Sequence, residues 1–189
     1  MNNFIDNFYG TLFTPSKTFG VLAEKPVFGQ SILVVVLTSM LRPLLEFGIQ
    51  TTQTGMDLLM LKLSYAILGG LTVWALMAFL IGIIAYFFNN EGKTTTFLTL
   101  SAFALLPQIF VAPVELLKAG GAFSYFLGIL IGLAIGIWTI CLLFLAVIKT
   151  YDTTVEKTLA FSTVPLLSTI VLFNWTATFF SSIYYIFKQ

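Results

Sequence analysis

The distribution of charge constrains this chain more than any other feature. No charged residue occurs between Lys62 and Glu91, Lys93 and Glu115, Lys118 and Lys149, or Lys157 and Lys188. Each window is long enough for the ~20 apolar residues that cross a bilayer's hydrocarbon. Only 9% of the 189 residues are charged and 58% are hydrophobic, whereas soluble domains carry about 25% charged residues. A water-soluble globule could not cover its surface with so little charge, and disorder needs the opposite composition. The chain therefore reads as an all-α, polytopic integral membrane protein, with lipid as the solvent for its apolar faces.

The windows give four spans, near 62–88, 95–117, 122–148 and 159–187. A fifth lies near 28–50. Its uncharged stretch, Pro26–Leu41, is short, and Arg42 and Glu46 interrupt the apolar residues beyond it. No soluble domain is present to bury it, so a true span is the better reading. The connections, near 51–60, 89–94, 118–121 and 149–158, are short, which makes successive helices antiparallel neighbours in one bundle. Pro43 and Pro113 are expected to kink or break their helices, and Pro107 and Pro165 to bend theirs. A modest lysine bias, with Lys17, Lys25, Lys93, Lys149 and Lys157 on one side, places the N-terminus in the cytoplasm. No basic segment followed by a short apolar core and small-residue cleavage site opens the chain, so the first span is expected to direct insertion.

Residues 1–27 form a separate segment ahead of the transmembrane domain, 28–189. Phe4, Ile5, Phe8, Tyr9, Leu12 and Phe13 follow a helical rhythm, with Asp6, Asn7, Gly10 and Thr11 on the opposite arc. Thr14-Pro15 reads as an N-cap and first helical position, opening a second short helix to about Glu24 that turns Phe19 and Leu22 inward. The amphipathic segment is expected to pack along the cytoplasmic end of the bundle. Its alternative uses are as a membrane-surface element or a docking site for a partner helix.

Several function classes lose their residues. The net charge is +1, so nucleic acid is not an expected partner. The chain has no histidine, which removes imidazole acid–base catalysis, Ser-His and Cys-His pairs and His metal sites. Its single cysteine, Cys141, lies in an apolar run. No phosphate-binding loop, dinucleotide fingerprint or metal-ligand spacing appears. No catalytic set, cofactor or metal is expected; the expected partners are the lipid bilayer and other membrane proteins.

Two constellations remain. Arg42, Glu46, Glu115 and Lys118 fall towards the C-terminal ends of the first and third spans, where ionisable groups at membrane depth suggest function by default. Glu115 is the expected partner of Arg42, because Glu46 lies at i+4 in the less favourable order. Such a cluster would serve as a structural clasp or, alternatively, as the polar site of a small transporter or channel. Gly128, Gly132 and Gly136 form a small-xxx-small stripe, expected to admit a neighbouring helix at close range, with homo-oligomerisation as its other use.

Three stretches carry a family likeness. They are Phe13-Thr14-Pro15-Ser16-Lys17-Thr18-Phe19 with Glu24-Lys25-Pro26, then Thr96 to Pro107, then the Lys149–Lys157 loop leading into Thr158-Leu159-Ala160. Together with five spans, they make the chain resemble the Yip (Ypt-interacting protein) family, particularly its prokaryotic members. The resemblance implies a membrane organiser or adaptor without established chemistry. The Asp-Leu-Tyr-Gly-Pro signature of eukaryotic members is absent, so the likeness carries no expectation of Rab GTPase binding.

Overall fold

Helix α5, Thr94–Ala104, is the axis around which the other elements pack. Eight of its eleven residues are buried, including Phe97, Leu100 and Phe103. Two of its buried polar groups bond within the helix: Thr99 Oγ1 donates to Thr95 O at 3.1 Å and Ser101 Oγ to Leu98 O at 3.2 Å. A polar side chain that bonds its own turn is tolerated at membrane depth.

The computed structural model describes residues 3–49, 56–87, 93–118, 120–156 and 158–159. Among them all regular structure is helical: α1 (Phe4–Phe13), α2 (Pro15–Glu24), α3 (Phe28–Ile49), α4 (Met56–Phe87), α5, a 3₁₀ segment (Leu106–Phe110), α6 (Val111–Lys118) and α7 (Ala122–Tyr151). Four stretches are long and apolar enough to span a membrane: Phe28–Gly48, Met56–Tyr86, Thr94–Lys118 and Ala122–Tyr151. They match the first four expected spans. The fifth, near 159–187, falls almost wholly outside the described residues. The second span begins earlier than expected, at Met56 rather than near 62, and the fourth runs to Tyr151 rather than 148.

Proline positions explain where helices break. At Pro107, where only a bend is expected from the sequence, α5 ends and a 3₁₀ segment begins in the middle of the third span, because proline removes a donor and clashes with the preceding turn. Pro43 does not break its helix: it lies inside α3, which continues to Ile49. Pro113 sits in the first turn of α6, where a missing N–H has no intrahelical partner to lose. At the ends of α7, Gly121 supplies a φ of 104° and Asp152 closes the helix in the left-handed region at φ 48°. Both positions require residues that tolerate positive φ.

The core unites α2, α3, α4, α5 and α7. Phe19 and Leu22 of α2, both wholly buried, meet Phe97 and Leu100 of α5 and Ala146, Val147 and Tyr151 of α7. The inward placement of Phe19 and Leu22 follows the sequence expectation. The capping expectation needs correction: Pro15 does open α2, but Thr14 makes no side-chain cap and its hydroxyl instead donates to Gly10 O at 3.3 Å.

Candidate functional site

The broken third span lines a cavity of about 460 Å³ within the bundle. Its walls come from α3 (Val35, Thr38, Ser39), α4 (Gly70 to Ile81), α5 and the 3₁₀ turn (Phe97, Ser101, Leu105, Gln108) and α7 (Ile140 to Val147). This volume lies within the ~300–1,000 Å³ typical of small-ligand sites, which are mostly apolar with a few placed polar groups. Along the third span the lining runs from Phe97 to Gln108, and on the facing helices Gly70 lies against Ser39.

Three of the polar wall residues, Trp74, Ser101 and Thr38, are held by hydrogen bonds. Trp74 Nε1 donates to Ser101 Oγ at 3.1 Å, joining α4 to α5. Thr38 Oγ1 donates back to the carbonyls of Val34 and Val35, each at 3.0 Å. Gly70 lets α3 approach closely, because a Cβ there would run into Ser39 Oγ. Sequence reasoning did not single out this cavity. The signal available was Pro107, read from the sequence as a bend, with Gln108 immediately after it.

The charged residues lie elsewhere, and none of the four expected to cluster lines the cavity. Arg42 Nε sits 3.7 Å from Glu46 Oε1, and Lys62 Nζ of α4 lies 3.5 Å from Glu46 Oε2. Lys118 Nζ pairs with Glu115 Oε1 at 2.8 Å within α6. Among the described residues no ion pair joins Arg42 to Glu115, so the expected pairing is replaced by two local sets. The physical reason is proximity. One helical turn brings Glu46 to Arg42, and α4, packed on α3, adds Lys62. The side chains of Arg42 and Glu46 are 75% and 46% exposed, unlike a buried clasp.

The glycine stripe divides. Gly128 is buried, and a Cβ there would lie 2.6 Å from Lys118 Cγ and 3.5 Å from Val114 O, so α6 packs closely on it. A Cβ at Gly132 or Gly136 would meet no heavy atom of the described residues within 4 Å.

The N-terminal helix is the second candidate surface. Its polar side is only partly solvent-facing: Asn7 and Thr11 are buried, Asn7 Nδ2 donates to Gln30 Oε1 at 2.8 Å, and Thr11 Oγ1 donates to Asn7 O at 2.7 Å. Phe4, Phe8 and Leu12 pack on the core. Ile5, Tyr9 and Phe13, spaced by four, are 71%, 63% and 70% exposed. The apolar arc read from the sequence is thus split between a docked edge and a free one, because Gln30 of α3 offers Asn7 a partner.

A family model for the Yip1 domain matches residues 9–176. The chain belongs to the Yip1-domain family. The match takes in the exposed edge of α1 from Tyr9 onward, the α2 docking residues and all four described spans of this Yip1 domain. No curated protein and no solved structure shows significant similarity to the chain.

Proposed function

We propose that this Yip1-domain protein is a non-enzymatic membrane organiser or adaptor that binds other membrane proteins, with its N-terminus in the cytoplasm. The observation that carries the reading is the exposed stripe Ile5, Tyr9 and Phe13 on a helix already anchored by Asn7–Gln30 and by Phe4, Phe8 and Leu12. A helix fixed on one edge and apolar on the other is pre-organised to receive a partner helix, because little ordering entropy remains to oppose binding. A Tyr9–Phe13 stack, with ring centroids 5.1 Å apart, stiffens that edge further.

The test is affinity purification from native membranes with mass spectrometry, comparing the intact chain with an Ile5→Ser, Tyr9→Ser, Phe13→Ser variant. A defined membrane protein recovered with the first and lost with the second supports the reading. A second copy of the chain behaving this way would make the stripe a homo-oligomer interface. Identical recoveries would refute the role of α1. The transporter alternative predicts substrate flux in proteoliposomes that is abolished by Arg42→Ala and Glu115→Ala. It has less support, since Arg42, Glu46, Glu115 and Lys118 all lie off the cavity.

A further inference from the structure

The cavity has the attributes of a binding site, and these are independent of the adaptor reading. It lies within the spanning region, and its walls come from all four described spans. Val73 and Ile140, on its α4 and α7 walls, are 60% and 48% exposed. In a bundle embedded in lipid, these flanks, which the described residues leave exposed, offer the cavity a route to the bilayer interior.

The lining specifies the chemistry of an occupant. Ile81, Phe97, Leu143, Phe144 and Val147 offer apolar contacts and no charge. Most polar lining groups are already engaged: Trp74 with Ser101, and Thr38 with its own helix. Gln108 differs. It follows the helix break, lines the cavity while itself exposed, and its carboxamide bonds no other described residue. A carboxamide carries two N–H donors and a carbonyl acceptor, and Gln108 lies within the spanning segment Thr94–Lys118, where an exposed side chain meets lipid and leaving these groups unmet is costly. The matching ligand is a long apolar chain ending in one hydrogen-bonding carbonyl.

We propose that the cavity between α3, α4, α5 and α7 binds one fatty acyl chain from the bilayer, with the acyl carbonyl accepting from the Gln108 carboxamide and the chain running towards Phe97 and Val147. The chain is supplied either as a free fatty acid or as the acyl ester of a phospholipid.

Trp74, in the wall, is the reporter. The chain has three tryptophans, so Trp138→Phe with Trp175→Phe leaves Trp74 alone. Full-length protein in detergent micelles is titrated separately with brominated stearic acid and with phosphatidylcholine carrying brominated acyl chains. Bromine quenches indole emission at short range. The proposal predicts saturable quenching by at least one probe, and the probe that saturates identifies the source. Gln108→Met keeps the side-chain length without its hydrogen bonds and weakens binding about threefold, the factor corresponding to ~0.6 kcal/mol for an average membrane hydrogen bond. Val73→Phe, which narrows the cavity at its flank, weakens it further. An unchanged Trp74 emission maximum without probe shows that each variant retains the fold. Quenching that rises linearly with both probes overturns the proposal, as does saturable quenching that either variant leaves unchanged.

Discussion

Ser101→Ala should cost more than the loss of one small polar group would suggest. Ser101 Oγ accepts from Trp74 Nε1 across the α4–α5 interface at 3.1 Å, towards the long end of the ~2.7–3.2 Å range for N–H···O bonds. Both residues are buried, at 9% relative exposure for Trp74 and 5% for Ser101. Removing the hydroxyl therefore strands an indole N–H where water does not compete, at a cost of about 1–3 kcal/mol. The pairwise interaction is smaller, because a membrane hydrogen bond averages about 0.6 kcal/mol and reaches about 1.7. The length of this bond favours the lower half of that range. Ser101→Ala is thus expected to destabilise by about 1–2 kcal/mol. Trp74→Phe loses more through packing. In the double variant the two effects should fall short of additivity by about 0.5–1 kcal/mol. Equilibrium unfolding in mixed micelles, titrated with a denaturing detergent, measures all three differences. Additive effects, within the ~0.3 kcal/mol expected of independent sites, would refute the claim that this bond ties α4 to α5.

Three further substitutions discriminate local readings. Gly128→Ala should lower detergent melting temperature relative to Gly132→Ala and Gly136→Ala, since only the first adds a methyl against Lys118 and Val114; equal shifts would show that α6 does not pack there. Arg42→Ala should change stability by under about 1 kcal/mol, as expected for an exposed pair, and a larger loss in the same unfolding assay would restore a buried clasp. Tyr151→Phe should be neutral or stabilising, because the buried hydroxyl has no partner among the described residues; a loss above about 1 kcal/mol would show that it is engaged.

The span layout was legible because charge exclusion from hydrocarbon acts residue by residue. Its edges were not. Lys62 suggested a boundary, yet α4 begins at Met56 because Lys62 is only half-buried and reaches Glu46 of α3. The Arg42–Glu115 expectation failed for a related reason: sequence spacing identified two charged helix ends but not the local partners that satisfy them first. Asn7 illustrates the limit most clearly. On helical periodicity it belongs to the polar arc, and only the placement of Gln30 by α3 makes burial the better state. The cavity was hidden because its walls come from four segments distant in sequence, although Pro107 marked where one wall would bend.

The central claim is that α1 presents Ile5, Tyr9 and Phe13 to another membrane protein. Site-specific photocrosslinking in native membranes tests it most directly, with p-benzoylphenylalanine at position 9 and, as the comparison, at position 130 on the exposed flank of α7. The account predicts a discrete protein adduct from position 9, absent from position 130 and lost when Ile5 and Phe13 are changed to serine. Lipid adducts alone from position 9, or the same adducts from both positions, would contradict it.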